Sequence, residues 1–179
     1  PGRRILVVAP QPFLMDRGTP IATACLLEAL SRLGYEVDVL TYPMGRDVRV
    51  PNLTLHRIGN PFGMKEVPIG FSLRKVALDT GMMVALRRLV RSRSYSAIHA
   101  IEEAAALAVM LRPAGVPVIY DMQSSLAEQL GNLRLLSSRW ARRWLDLGER
   151  WLLGRVDQVV CSAGLAERVR RAGPGARVR

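Results

Sequence analysis

Three short stretches bring together side chains able to bind or orient a polar ligand. In YDMQSS, residues 120–125, Asp121 and Gln123 stand two positions apart, and an extended backbone points such a pair to one side. In HAIEEAA, residues 99–105, a histidine able to titrate near neutral pH precedes Glu102 and Glu103, whose carboxylates can accept hydrogen bonds from sugar hydroxyls. In PQPFLMDRGTP, residues 10–20, Asp16 and Arg17 stand beside Gly18-Thr19, just ahead of a helical pattern. The free N–H groups of a helix start can receive a phosphate or a hydroxyl. Each stretch also has a plain structural reading. Gly18 can supply a turn and Thr19 a cap, and carboxylates at a helix start gain about 0.3–1 kcal/mol from the helix dipole. His99 reads as a hydrogen-bonded, half-buried strand residue, and Ser124 as part of the turn after Asp121.

Such loops need a scaffold, and the apolar pattern supplies one. Strand-like runs fall at 4–9, 36–41, 53–58, 97–101, 116–121 and 157–162, alternating with helical periodicity at 20–34, 71–93, 102–112, 136–153 and 163–172. Pro20 and Gly34 punctuate the first helix, with Thr19 as its cap. Ser125 and Glu128 form a capping-box pair for a further short helix. Strand and helix repeated in this way predict an α/β, doubly wound, mostly parallel sheet of Rossmann-like type. In such sheets ligands bind at the carboxyl ends of the strands, where the strand order reverses. That rule selects the loops at 10–19, 100–103 and 121–125, which are the three stretches above.

The 179 residues suit one domain with a real core. No apolar run approaches the roughly 20 residues of a membrane span, and PGRRILVV enters a strand without the pattern of a secretory signal, so the expected location is cytoplasmic. Cys25 and Cys161 lack metal-type spacing and read as reduced thiols. The net charge of +11 is carried by arginine, with Lys65 and Lys75 the only lysines. It suits anionic partners, or else an arginine-written solvated surface. The loop at 10–19 has too few glycines for a dinucleotide fingerprint and no P-loop lysine. No nucleic-acid recognition motif accompanies the charge, so no nucleic-acid partner is expected. Arg74, Lys75, Arg87, Arg88, Arg91 and Arg93 surround an apolar stripe of Leu73, Val76, Val84 and Leu86 in the helix at 71–93. In the helix at 136–153, Leu136, Trp140, Trp144, Leu147 and Trp151 form one face and Arg139, Arg143 and Arg150 another. Such a stripe is expected to be core rather than membrane-facing.

Taken in order, ILVVAP, RGTPIATACLLEALSRLGYEVDVLT, YSAIHAIEEAA, PVIYDMQSSLAEQL and LGERWLLGRVDQVVCSAGLAERVRR resemble the N-terminal, acceptor-binding domain of family 4 retaining glycosyltransferases of GT-B fold. The resemblance implies that residues 1–179 form a single Rossmann-like domain, with the C-terminal, donor-binding domain outside this chain and the isolated piece inactive. It implies transfer of a sugar from a nucleotide-diphosphate sugar to an acceptor, with retention and with no metal or other cofactor. Gly18 and Thr19 would lie by the donor phosphates, with threonine where the family often carries a second glycine. Asp16, Glu102, Glu103, Asp121 and Ser124 would line the acceptor side. The acceptor would be a sugar or a lipid-linked sugar, with peripheral contact at the inner face of an anionic membrane. Gln123 falls where the family commonly carries a histidine near the reacting sugar. Glutamine donates and accepts hydrogen bonds but cannot shuttle a proton. That departure motivates an alternative, a non-catalytic module that binds a sugar or an anionic lipid.

Overall fold

Runs rich in valine, isoleucine and leucine become strands that are covered on both faces, as parallel sheets require. A computed structural model describes residues 3–12, 18–47, 50–60, 63–64, 73–124, 139–173, 175 and 177–178. Its strands are β1 (Arg4–Ala9), β2 (Glu36–Thr41), β3 (Leu53–Arg57), β4 (Ala97–Ile101), β5 (Val118–Met122) and β6 (Gln158–Cys161). All pair in parallel, in the order β3-β2-β1-β4-β5-β6. The chain builds outward from β1 to one edge, returns, and builds outward from β4 to the other. The order therefore reverses between β1 and β4, the place at whose carboxyl end sheets of this kind bind ligands.

The helices are α1 (Gly18–Arg32), α2 (Leu73–Ser92), α3 (Ala104–Leu111), α4 (Arg139–Leu153) and α5 (Ala163–Ala172). Alternation along the strands feeds two cores. Val7, Ala9, Val37, Val39 and Ile101 pack with Leu27 of α1. On the other face Leu6, Val8, Leu40, Ile98 and Tyr120 pack with Leu78, Met82 and Leu86 of α2 and with the alanines of α3. Gly34, at φ 78°, turns the chain out of α1 in the left-handed conformation expected after a helix.

A charged cluster holds the middle of the sheet to the segment before β4. Asp38 of β2 is buried and accepts hydrogen bonds from Arg93 Nη1 at 2.6 Å and Tyr95 Oη at 2.9 Å, with His56 Nε2 2.9 Å away. Burial works against its charge, but the bonds from His56, Arg93 and Tyr95 outweigh this and hold the carboxyl below the usual carboxylate range.

Several sequence expectations need correction. α1 starts at Gly18, so Thr19 lies in the first turn instead of capping it; the chain turns into the helix two residues earlier than Pro20 suggests. In α2 the buried stripe is Leu78, Met82, Leu86 and Leu89, while Leu73, Val76 and Val84 are exposed. Spacings of four, four and three keep the first set on one face, whereas 73, 76, 84 and 86 do not stay in line. Trp140, Trp144, Leu147 and Trp151 of α4 are exposed, and Glu149, Leu152 and Leu153 face the core instead. Glu149 tolerates that position because Arg168 of α5 donates to it at 3.2 Å. Leu136 and the Ser125–Glu128 pair lie outside the described residues.

Candidate functional site

At the carboxyl edge of the sheet, hydrogen bonds tie the exit of β1 to α1 and β2, and the exit of β4 to that of β5. After β1, Gln11 donates its backbone N–H to Ala9 O at 2.8 Å and its amide Nε2 to Thr23 Oγ1 of α1 at 2.8 Å. Its carbonyl accepts from Thr41 Oγ1 at the end of β2, at 2.7 Å. These bonds set where the chain leaves β1 on its way to Gly18 and Thr19, the first two residues of α1. Asp16 lies outside the described residues.

After β4 the chain makes a turn before α3 begins at Ala104, so Glu102 and Glu103 precede the helix instead of opening its first turn. Glu102 is in the left-handed region, at φ 54°, a conformation that costs a non-glycine residue free energy and is kept where the surroundings enforce it. Two bonds from β5 and its exit do so. The Glu102 backbone N–H donates to Asp121 O at 3.0 Å, and Ser124 Oγ lies 3.2 and 3.3 Å from the two carboxylate oxygens of Glu102. One step below, the buried His99 places Nε2 3.2 Å from Asp121 Oδ2. His99 is thus a hydrogen-bonded strand residue, buried more deeply than its sequence context suggests.

Gln123 is partly exposed at the bend that follows β5, between Asp121 and Ser124. The structure therefore brings Glu102, Asp121, Gln123 and Ser124 to one strand-end cluster, with Glu103 beside them.

Lys75, from the basic set of the helix at 71–93, completes the cluster together with Tyr42 and Asp79. Lys75, in the first turn of α2, reaches Glu103 Oε1 at 2.6 Å and Asp79 Oδ1 at 3.6 Å. It also donates to Tyr42 Oη at 3.2 Å, and the Tyr42 hydroxyl in turn donates to Asp79. Burial, reinforced by Asp79 and Glu103, pushes the Tyr42 phenol far above its ordinary value, so it remains a hydrogen-bond donor. In the sequence Lys75 stands out only as one of two lysines and as one of the basic residues of the helix at 71–93, not as a partner of Glu103. Glu103 is 28 positions away, beyond the reach of any local pattern.

The electrostatic character of this edge is acidic within a strongly basic chain. Tyr120, buried beneath it, has its phenol pushed up by burial and then by Glu102, Glu149, Glu103 and Asp121. Carboxylates grouped at one edge accept hydrogen bonds from hydroxyl groups. Among the described residues no group of three or more His, Cys, Asp or Glu side chains is arranged to hold a metal ion, and no helix is long and apolar enough to cross a membrane. Cys25 is exposed and Cys161 half-buried, and burial pushes the Cys161 thiol up.

Comparison with known proteins gives this architecture a family. Sucrose-phosphate synthase from Thermosynechococcus elongatus superposes with a TM-score of 0.72 at 17% identity, over 98% of this chain and 47% of that one. A shorter chain of that synthase gives 0.68 at 16% identity, over 98% of this chain and 86% of that one. A ugt transferase from Siraitia grosvenorii, solved with UDP, gives 0.52 at 12% identity, over 98% and 50%. These likenesses show a shared fold, and the chain spans about half the length of the full synthase. No curated protein matches in sequence. The model of the glycosyl transferase 4-like domain matches residues 17–179. With a six-stranded parallel sheet whose strand order reverses between β1 and β4, the chain belongs to the glycosyl transferase 4-like domain family and has the fold of the N-terminal domain of GT-B glycosyltransferases.

Proposed function

We propose that this domain is the acceptor-binding half of an enzyme that transfers a sugar, of hexosyl type, from a nucleotide-diphosphate sugar to an acceptor with retention at the anomeric carbon. The observation that carries this reading is the cluster of Glu102, Glu103, Asp121 and Ser124 at the carboxyl edge of a net-basic chain. Carboxylates and a hydroxyl suit the polyhydroxylated face of an acceptor and repel a diphosphate. The donor phosphates belong instead at the start of α1, where Gly18 and Thr19 offer free N–H groups and the positive end of the helix dipole. Asp16 would stand beside them on the acceptor side.

Gln123 contributes a hydrogen bond to a sugar hydroxyl and moves no proton, because an amide has none to transfer near neutral pH. The rest of the catalytic machinery, including the grip on the nucleotide, lies in a donor domain outside this chain, so the isolated domain is inactive. The reaction needs no metal. The acceptor is a sugar or lipid-linked sugar met on the cytoplasmic side of a membrane.

The test is transfer by the full-length protein with nucleotide-sugars as donors, following the anomeric proton of product by NMR. Retained configuration and unchanged rate in the presence of a chelator are expected, with no turnover by residues 1–179 alone. A second reading, a binding module without transferase activity, draws on Gln123 in the histidine position. Sugar binding by the full-length protein without turnover of any donor would favour it.

A further inference from the structure

The register of the sheet puts two titratable side chains on the face that α1 covers. Val7 stands opposite His99 and Ile101 opposite Asp121, and directly opposed residues share a face. Val7 and Ile101 both pack with Leu27 of α1, so His99 and Asp121 also point to the α1 side. His99 Nε2 lies 3.2 Å from Asp121 Oδ2, and the ring has no other hydrogen-bond partner among the described residues. A carboxylate only accepts, so Nε2 carries a proton and donates it, whether the ring is neutral or charged.

Asp121 is thereby held at one oxygen and left open at the other. Its Oδ1 has no hydrogen-bond partner among the described residues, and neither has the amide of the half-buried Gln123. The Asp121 side chain is 18% exposed against 9% for His99, so a ligand reaches the carboxylate and not the ring. The main chain here is fixed separately, since Asp121 O accepts from the Glu102 N–H at 3.0 Å. What the backbone leaves open is the carboxylate rotamer, and His99 closes it. Packing alone does not account for a histidine at this place, because an apolar side chain would fill it without desolvating an imidazole.

We infer that His99 is a positioning residue, which fixes the Asp121 carboxylate so that Oδ1 accepts a hydrogen bond from a hydroxyl of the sugar acceptor beside Gln123. The inference rests on the acceptor reading proposed above. A carboxylate free to rotate would have to be ordered at the moment of binding, and His99 orders it beforehand. Buried behind Asp121, the ring acts through that carboxylate alone.

Three-bond couplings across χ1 of Asp121, measured by NMR on the 179-residue chain, read the positioning directly. They should report one rotamer in the unaltered chain and averaging in His99→Leu. His99→Gln, whose amide can donate to the same oxygen, should keep one rotamer. A low-field imidazole proton on His99, one of only two histidines, should be present and should vanish in Asp121→Ala. In sugar transfer by the full-length protein, His99→Leu should raise the acceptor KM about tenfold, with a smaller change in kcat, and His99→Gln should recover most of the loss. In an Asp121→Ala background His99→Leu should add nothing, since both changes remove one interaction. Averaged couplings in the unaltered chain, or a single rotamer kept in His99→Leu, would overturn the inference. So would losses from His99→Leu and Asp121→Ala that simply add, the result of a purely structural role. A full-length protein that transfers no sugar refutes the acceptor reading instead, and the Asp121 couplings then decide on His99.

Discussion

Ser124 Oγ stands 3.2 and 3.3 Å from the two carboxylate oxygens of Glu102, joining the exit of β5 to the exit of β4 at the carboxyl edge of the sheet. Glu102 is also a residue in left-handed conformation, at φ 54°. The two facts explain each other, since a strained backbone needs neighbours that hold it. Ser124→Ala should reduce the stability of the domain by about 1 kcal/mol and raise the acceptor KM of the full-length protein several-fold, with a smaller change in kcat.

Glu102→Gly separates backbone from side chain at the same position. Glycine adopts φ 54° without penalty, so the relieved strain offsets part of the lost hydrogen bonding, and stability should stay within about 1 kcal/mol of the parent. The carboxylate is gone, and acceptor affinity should fall by about tenfold, the loss of one charge-assisted hydrogen bond. Calorimetric unfolding beside acceptor titration checks both halves. Unchanged acceptor affinity would remove Glu102 from the site.

Gln123 is expected to act by hydrogen bonding alone. The pH profile of kcat/KM in the full-length protein should then carry no ionisation from this position. Gln123→His should introduce a limb centred near the ordinary histidine value of about 6.5, and Gln123→Ala should cost about tenfold in kcat/KM. An alanine variant with the activity and acceptor affinity of the wild type would exclude Gln123 from the site.

The strands were legible because a buried parallel sheet writes itself as short apolar runs, and RILVVA or AIHAI has few other readings. The choice of the loops at the carboxyl edge followed from that topology without any further information. What stayed hidden was tertiary. The sequence pair Glu102-Glu103 resembles an ordinary helix start, and nothing in it signals the positive φ that turns Glu102 toward Ser124. Periodicity in α4 identified an aromatic face but not which face the sheet would take. Burial of Glu149 was decided by Arg168, 19 positions away on another helix.

Lys75 ties the start of α2 to the loop after β4 through Glu103, and its ammonium also serves Asp79 and Tyr42. Lys75→Met removes the cation between two carboxylates. The pair is partly exposed, so stability should drop by only about 1 kcal/mol, but Glu103 loses the contact that fixes its rotamer. Acceptor KM should rise more than kcat falls. Lys75→Arg should restore only part of the loss, because a planar fork cannot occupy the position of a compact ammonium donating to Glu103 and Tyr42 together. Equal KM values in wild type and Lys75→Met would show that Glu103 holds its position without Lys75.

Asp38 gives the fold a defined acid limit. His56, Arg93 and Tyr95 hold its carboxylate charged despite burial, so its folded pKa lies below the unfolded one. As pH falls the unfolded chain takes up the proton first. The stability contributed by Asp38 is therefore fully present above the unfolded value and is lost as pH falls through the lowered folded value. Asp38→Asn keeps the shape but leaves Arg93 and Tyr95 facing a neutral amide, and should destabilise the domain by about 2–4 kcal/mol at neutral pH. The gap between wild type and variant should narrow as the pH drops below about 4, where the unfolded wild-type chain takes up a proton before folded Asp38 does, and should be smallest once folded Asp38 is protonated and neutral like asparagine. Urea unfolding across a pH series measures that gap directly. A difference that stays constant down to about pH 2 would show that charge on Asp38 is not what the cluster stabilises.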